Sequence, residues 1–257
     1  MGILNVTPDS FSDGGRFNSL DRALARAARM VAEGVDILDV GGESTRPGAA
    51  AVDLQEEMAR VLPVIEHLRA EFDVPISVDT SKPELMRAAV AAGATMINDV
   101  AALRAPGAIA AVADAAVPVC LMHMQGEPRT MQTAPQYDDV VADIIQYLDG
   151  RVAACMAGGI ARERLLIDPG FGFGKTLAHN LALLRGLKGL QRLGLPVLVG
   201  ISRKSMLGAV TGRPVEERLP ASIAAAVMAV ERGARIVRVH DVGATVDALR
   251  LWQAVMG

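Results

Sequence analysis

Apolar positions along the chain form eight short runs, each followed by a longer stretch of amphipathic, helix-like spacing. The runs are unbroken rather than alternating, as is typical of parallel strands buried on both faces. They predict strands at residues 2–6, 36–40, 75–79, 95–99, 118–122, 165–168, 196–200 and 236–240. Helical faces follow, for example Leu54, Met58, Val61, Leu62, Ile65 and Leu68, and Ser19 and Gly34 are placed to cap and to end the first helix.

Eight strand–helix units in 257 residues have the size and pattern of a (β/α)₈ TIM barrel. No linker rich in Pro, Gly or Ser divides the chain, so we predict a single α/β domain over residues 1–257. A doubly wound open sheet is the alternative, although that fold usually has fewer strands at this length.

Polar residues are concentrated where the predicted strands end. They are Asn5, Asp39, Asp79, Asn98, Asp99, His123, Asp168, Ser202, Arg203, Lys204, Arg238 and His240. In a barrel these ends meet on one face, where active sites are built. The pattern therefore predicts an enzyme.

Composition and charge exclude several other classes of protein. A chain that is 51% hydrophobic has enough apolar material for a core and is not disordered. A net charge of −3 and 3% aromatic residues argue against a nucleic-acid partner. The longest uncharged apolar stretch, residues 221–230, is about half of a membrane span, and no signal-peptide pattern is seen. With Cys120 and Cys155 expected to be buried thiols, we predict a cytoplasmic protein with no membrane partner.

Two loops after strands have unusual length or chemistry. The loop at 5–15 (NVTPDSFSDGG) has roughly twice the 2–6 residues of an ordinary connection, which predicts a mobile lid. In the loop at 41–48 (GGESTRPG), glycines permit close approach to a ligand, and Arg46 offers a planar fork for phosphate or carboxylate. Ordinary surface loops are the alternative in both cases.

The segment at 170–176 (GFGFGKT) is not a nucleotide-binding loop. A Walker A sequence needs Gly five positions before the Gly of its Gly-Lys pair, and Pro169 stands there. We predict a flexible loop behind Asp168. Basic clusters at 202–205 (SRKS) and 238–241 (RVHD) predict a site for an anionic group such as a diphosphate, because barrels often bind phosphate after their last two strands. Charge balance for nearby acids is the alternative there.

Asp79, Asn98 and Asp168 end three of the predicted strands. Carboxylates and an amide there can bind the edge of a heterocycle, for instance an amine next to a ring N–H. They can also form buried salt bridges with Lys204 or Arg238, and both interpretations can hold together. No tight cluster of metal ligands predicts structural zinc, whereas Mg²⁺ carried in with a phosphate needs few protein ligands.

Together the motifs resemble those of one family, the dihydropteroate synthases. The matching segments are 2–15, 42–48, 77–83, 97–99, 121–124, 168–175, 202–205 and 238–241, in the family's order along nearly the whole chain. The resemblance implies a pterin-binding barrel that condenses 6-hydroxymethyl-7,8-dihydropterin diphosphate with p-aminobenzoate, giving 7,8-dihydropteroate and pyrophosphate in folate biosynthesis. It further implies a transferase that uses Mg²⁺, forms a homodimer and is inhibited by sulfonamides, which mimic p-aminobenzoate.

The same resemblance implies roles for individual residues. The pterin edge would be held by Asp79, Asn98, Asp168 and Lys204, in a pocket that Met122 helps to line. Arg238 would stack on the pterin and, with His240 and Asn5, meet the diphosphate, Asn5 partly through Mg²⁺. The p-aminobenzoate site would be shaped by Phe11, Thr45, Pro47 and Ser205, while Asp13 and Arg46 would help to close the loops.

These implied roles favour a reaction in which the diphosphate leaves first, because Mg²⁺, His240 and Arg238 could neutralise its charge. The arylamine then needs positioning rather than a strong base, in keeping with the lack of an evident Ser-His-Asp or Cys-His arrangement. A corrinoid-dependent methyltransferase on the same barrel and a pterin-binding paralogue without turnover are the alternatives. Family members usually have a lead-in segment before the first motif, so we expect a less well covered barrel bottom here, unless the chain is trimmed or its start misassigned.

Overall fold

A computed structural model describes residues 1–7, 16–44, 49, 51–126 and 130–256 of the chain. Its strands are β1 Gly2–Asn5, β2 Leu38–Gly41, β3 Ile76–Asp79, β4 Met96–Asp99, β5 Val119–Met122, β6 Leu165–Asp168, β7 Val197–Val199 and β8 Ala234–Val237. Its helices are α1 Arg16–Ala32, α2 Leu54–Glu71, α3 Pro83–Ala91, α4 Ala108–Ala115, α5 Val140–Ala157, α6 Leu177–Arg185, α7 Ser205–Thr211, α8 Leu219–Glu231 and α9 Val242–Met256.

The strands form one parallel sheet in the order β1 to β8, and the sheet closes on itself. Gly2 forms a parallel bridge with Val239 just beyond β8. There the Ile3 N–H donates to the Val239 carbonyl, and the Val239 N–H donates to the Met1 carbonyl, both at 2.9 Å. Closure removes both sheet edges, which excludes the doubly wound alternative and confirms the predicted (β/α)₈ barrel.

Apolar side chains fill two layers of the barrel. The main cluster lies between the strands and the surrounding helices, with fully buried residues such as Leu4, Val40 and Ile97. A smaller cluster is formed by strand residues that alternate with those of the main cluster. Its buried members are Met1, Met96, Cys120, Leu166 and Leu198. Successive strand residues point to opposite faces, so this second cluster fills the barrel interior.

Some predicted boundaries are wrong by a few residues. β8 begins at Ala234 rather than residue 236, and α1 begins at Arg16, so Ser19 lies within α1 and does not cap it. The prediction for Gly34 is confirmed: its φ of +87° is left-handed, and its N–H donates to the Val31 carbonyl just after α1. β7 is followed by two helices, α7 and α8, where one was predicted.

The apolar stretch at 221–230 lies inside α8, and four of its ten residues are buried. Ser222, Ala225, Ala226 and Ala229 are buried, whereas Met228 is exposed. Both cysteines are buried free thiols, as predicted. Within the described ranges, we find no helix whose length and apolar character would suit a membrane span.

Candidate active site

The polar residues at the strand ends continue the inward-facing side of the barrel. Two positions after the apolar interior residues Met96 and Leu166 come Asn98 and Asp168, and the step from Ile37 to Asp39 is the same. Since every second strand residue points the same way, one two-residue step along these three strands leads from the apolar layer to a polar one. Asp39, Asn98 and Asp168 are all buried in it. The end of the barrel where the strands finish, called the mouth below, is therefore lined with polar and ionisable side chains that can bind a ligand.

Arg238 joins two acids across this layer. Its Nε donates to Asp39 Oδ2 at 2.6 Å, and its Nη2 donates to Asp79 Oδ2 at 2.7 Å. The Asn98 side-chain amide also points to Asp39 Oδ2, at 3.4 Å. Asp39 Oδ1 is buried and has no hydrogen-bond partner among the described residues. Two predicted site residues, Arg238 and Asn98, thus converge on Asp39, which the sequence marked only as a polar strand end.

The charges of this network depend on each other. Burial raises the pKa of Asp79 to about 7; Arg238 acts against this rise, while Asp39 adds to it. Burial alone would lower the pKa of Arg238, but Asp39 and Asp79 outweigh it and raise that pKa. Arg238 therefore stays charged, and the pKa of Asp79 lies near neutral pH. The predicted salt-bridge alternative holds for Arg238.

Lys204 and Asp168 form the second charged part of the mouth. Asp168 Oδ1 accepts the Gly170 N–H at 2.7 Å. The Lys204 ammonium donates to the Phe171 carbonyl and lies 4.6 Å from the centre of the Phe173 ring, within cation–π distance. Burial lowers the pKa of Lys204 to about 8, and Asp168 opposes that change. Lys204 is thus a partly desolvated cation beside an aromatic ring.

Hydrogen bonds fix the loop between β6 and α6, which was predicted to be flexible. The Lys175 ammonium donates to the carbonyls of Gly170 and Phe173, at 2.9 and 3.0 Å, and lies 3.0 Å from His123 Nδ1. Gly170 has a φ of +69°, and a Cβ there would be 1.9 Å from the His123 carbonyl oxygen. Burial lowers the pKa of Lys175 to about 7. The glycine permits a close approach, and the lysine holds the loop that carries Phe173.

His240 is held at the mouth by three contacts. Its backbone N–H donates to Ser202 Oγ at 3.1 Å, and its Nδ1 lies 3.0 Å from the same oxygen. The Arg26 guanidinium donates to the His240 carbonyl at 2.9 Å. Burial, together with Arg238 and Arg203, lowers the pKa of His240 to about 4. The imidazole is therefore neutral at pH 7.

The remaining predicted residues fall into two groups. Asn5 ends β1, and a Cβ on Gly41 would lie 3.8 Å from Asn5 Oδ1 and 3.7 Å from Asp79 Oδ2, so both oxygens lie beside Gly41. Met122 is buried against Phe173 and neighbouring methionines, and Ser205 begins α7. Outside the described residues lie Phe11, Asp13, Thr45, Arg46 and Pro47, whose roles stay predictions.

Four residues that contact the site were given no role from the sequence. They are Asp39, Phe173, Lys175 and Ser202. Asp39 and Ser202 were visible as polar strand ends, and Phe173 and Lys175 belong to the glycine-rich segment at 170–176. Each has a partner that is distant in sequence, in turn Arg238, Lys204, His123 and His240, so only the fold reveals what they do.

The donor set at the mouth limits which metal it fits. Among the described residues, no group of three or more His, Cys, Asp or Glu could hold an ion. Asn5 Oδ1 is a hard oxygen at the mouth. Mg²⁺ prefers such ligands and usually keeps water and substrate oxygens for the rest of its coordination. The arrangement fits Mg²⁺ that arrives with a diphosphate.

The chain is similar to known proteins over its whole length. The sequence profile of the pterin binding enzymes matches residues 1–240. The dihydropteroate synthase of Escherichia coli K12 is 55% identical over 256 residues, covering 100% of this chain and 91% of that protein.

Solved structures give the same result. The Xanthomonas albilineans dihydropteroate synthase with 4-aminobenzoic acid is 58% identical, with a TM-score of 0.95, covering 100% of this chain and 92% of that one. The Yersinia pestis enzyme in a sulfonamide drug complex is 54% identical, also with a TM-score of 0.95, covering 100% and 93%. Fold, site and similarity agree: the chain belongs to the pterin binding enzyme family, as a dihydropteroate synthase.

Proposed function

We propose that Asp79, Asn98, Asp168 and Lys204 hold the pterin while this dihydropteroate synthase carries out its reaction. The enzyme is a transferase that condenses 6-hydroxymethyl-7,8-dihydropterin diphosphate with p-aminobenzoate, forming 7,8-dihydropteroate and pyrophosphate. The observation that carries the assignment is the polar layer on the inward face above the apolar interior, where Lys204 is within electrostatic reach of Asp168 and Asp79, and Asn98 is buried.

The hydrogen-bonding capacity of this layer suits a pterin edge. Asp168 uses Oδ1 for the Gly170 N–H, and Oδ2 accepts no hydrogen bond from the described residues. A pterin offers an exocyclic amine and a ring N–H as donors and a carbonyl as acceptor. Asp168 and Asp79 can accept from the donors, and Lys204 and the Asn98 amide can donate. Charge and polarity in the site are therefore complementary to the ring.

The diphosphate is assigned to Arg238, His240 and Asn5, on neighbouring strands at the closing seam. Arg238 supplies a permanent positive charge, and neutral His240 can supply one N–H donor. Asn5 Oδ1 would hold Mg²⁺, which when bound neutralises charge on the diphosphate. These groups stabilise the negative charge that develops as the carbon–oxygen bond to the diphosphate breaks.

The arylamine needs mainly orientation. Lys204 and the Phe173 ring form a cationic and aromatic wall next to Ser205, on the side where p-aminobenzoate is expected. Phe11, Thr45 and Pro47 are proposed to complete this subsite, and Asp13 and Arg46 to help to close it. A sulfonamide would compete with p-aminobenzoate for the same wall. Orientation alone can supply a large part of the rate enhancement for such a step.

A product assay tests the assignment. The protein is mixed with the dihydropterin diphosphate, p-aminobenzoate and Mg²⁺, and dihydropteroate and pyrophosphate are measured. Lys204→Ala and Asp79→Ala should each abolish turnover, while Lys188→Ala and Asp247→Ala, at exposed positions, should leave it unchanged. Turnover that survives either site substitution would contradict the pterin assignment. Loss of activity with EDTA and its return with Mg²⁺ would support the metal.

Turnover also separates the alternatives. A requirement for cobalamin would indicate the methyltransferase, and pterin binding without product would indicate a paralogue that only binds.

A homodimer is proposed because α8 exposes Leu219 and Met228, and light scattering in solution tests it. A cytoplasmic location is proposed from the two free thiols, and cell fractionation tests it.

A further inference from the structure

Ser202 contacts His240 twice, and the proposed function gives it no role. Ser202 follows β7 and is buried, whereas His240 follows β8 on the neighbouring strand. Ser202 Oγ accepts the His240 backbone N–H at 3.1 Å and lies 3.0 Å from His240 Nδ1. One hydroxyl group therefore meets both the backbone and the ring of the same histidine.

The direction of the second hydrogen bond is assigned from where the proton of the buried Ser202 hydroxyl can find an acceptor. A serine hydroxyl has one proton to donate, and its oxygen here already accepts the His240 N–H. Within the described part of the chain, His240 Nδ1 is the one acceptor in reach of that proton. Donation from Ser202 to Nδ1 satisfies this proton, whereas the reverse bond would leave the proton of a buried hydroxyl without an acceptor; in the favoured arrangement Nδ1 therefore carries no proton. In a neutral imidazole the proton is then on Nε2.

The surroundings keep His240 neutral and in place. The Arg26 guanidinium donates to the His240 carbonyl at 2.9 Å, and Arg203 makes a two-pronged ion pair with the adjacent Asp241. Burial and the charges of Arg238 and Arg203 disfavour a second proton on the ring. A neutral imidazole has one N–H and one lone pair, so the tautomer decides which of them a ligand meets. His240 Nε2 has no hydrogen-bond partner among the described residues.

We propose that Ser202 is a positioning residue that fixes His240 as the Nε2–H tautomer, so that the ring presents a hydrogen-bond donor to the diphosphate. With the opposite tautomer, the Nε2 lone pair would face an anion and repel it. The ligand in this inference rests on the proposed function, whereas the tautomer does not. Ser202 would act only through His240 and would not touch the substrate.

Nitrogen NMR measures the tautomer without any assay of activity. The chain has four histidines, so a long-range ¹H–¹⁵N spectrum of the labelled full-length protein contains signals from only four imidazole rings. The signals that disappear in His240→Gln are those of His240. We expect Nδ1 at the position of an unprotonated nitrogen and Nε2 at that of a protonated one. A protonated Nδ1 in the unsubstituted protein would overturn the proposal.

Variants then test the role of the hydroxyl. In Ser202→Ala the two nitrogen signals should move toward each other as the tautomers mix, and the affinity for inorganic pyrophosphate should fall by about tenfold. kcat should fall while KM for p-aminobenzoate stays unchanged. Ser202→Thr, which keeps the hydroxyl, should restore all three. Ser222→Ala is the matched control, since this buried serine bonds to Arg203 and Arg218 and not to His240.

Each outcome decides between the two hypotheses. A Ser202→Ala protein that keeps the Nε2–H signals and the affinity for pyrophosphate overturns the role of Ser202. If Ser202→Ala does not fold, the unsubstituted protein and Ser202→Thr still decide the tautomer, and the Nδ1 signal of each supports or overturns the proposal. If the tautomer is as expected but His240→Gln binds pyrophosphate normally, Ser202 keeps its role and the assignment of His240 to the diphosphate is wrong.

Discussion

Arg238 on the eighth strand-to-helix loop donates from Nε to Asp39 on β2 at 2.6 Å, a bond that spans β1 and the seam where the barrel closes. Asp39 is fully buried, and its second oxygen has no partner among the described residues. A buried acid of this kind is retained at a cost, because its charge has been taken out of water. The bond therefore links barrel closure to the orientation of a site residue.

Replacing Asp39 by Asn should weaken both the closure of the barrel and the orientation of Arg238. Among the described residues, Arg238 would keep Asp79 as its one ion-pair partner, and we expect the free energy of unfolding to fall by about 2 kcal/mol, less than for a fully unpaired buried charge. Removing a negative neighbour should also lower the pKa of Asp79. Urea denaturation and the pH profile of kcat/KM measure the two effects. Asp247→Asn, at an exposed position on α9, should change neither; an unchanged pH profile in Asp39→Asn would contradict the coupling.

Asp79 should make the stability of the protein depend on pH. Its pKa is raised from 3.8 to about 7 on folding, so its contribution to stability is present below pH 3.8 and is lost as the pH rises to 7. Asp79→Asn cannot ionise, and its stability relative to the unsubstituted protein should rise over that window by at most about 4 kcal/mol. Thermal unfolding from pH 4 to 8 measures the difference. A constant difference would show that Asp79 titrates normally.

Lys175 should control the loop that carries Phe173. Lys175→Met keeps most of the volume but removes three donors; the Phe173 carbonyl loses the Lys175 hydrogen bond, while the Gly170 carbonyl still accepts the Phe173 N–H at 3.1 Å. We expect a loss of about 2 kcal/mol of stability, since unpaired buried groups cost on the order of 1–3 kcal/mol each and the loop can partly relax. KM for p-aminobenzoate should rise, because the Phe173 ring is displaced from Lys204. Lys188→Met is the exposed control. An unchanged KM would rule out the positioning role.

Alanine substitutions at two glycines with similar φ values separate the cost of backbone strain from the cost of a steric clash. Gly170 and Gly159 have φ values of +69° and +91°, but a Cβ on Gly170 would strike the His123 carbonyl, while one on Gly159 meets nothing within 4 Å. Gly159→Ala should cost about 1 kcal/mol, for the backbone conformation alone. Gly170→Ala should cost more than about 3 kcal/mol and abolish turnover, because the β6–α6 loop must move. Denaturant unfolding compares them, and equal losses would contradict this interpretation.

The fold was largely predictable because its signal is local. Unbroken apolar runs marked all eight strands, and the polar residue at the end of each run marked the mouth. The start of β8 was misplaced because the apolar character continues beyond the strand to Val239, which forms the closing bridge with Gly2. Ser19 has the chemistry of a cap, but α1 begins earlier, at Arg16.

The pairing of residues within the site was less accessible. Nothing in the sequence around Asp39 shows that its partner is 199 positions away, since that contact depends on how the barrel closes. Lys175 looked like part of a flexible loop because three glycines come just before it, and its burial against His123 is a property of the packed structure. The polar side chains at the ends of the strands could be predicted from the sequence. The residues that orient those side chains could not.

The alternation along the strands also bears on how such chains can change in length. Met96 and Asn98 face the interior, and Ile97 between them belongs to the layer under the helices. Gain or loss of one residue within β4 would exchange these faces, placing Asn98 among aliphatic side chains and Ile97 in the mouth. Chemistry and folding would then fail in a single event. Natural variation in length among homologous sequences should therefore occur in the connections and be absent from the four-residue strands.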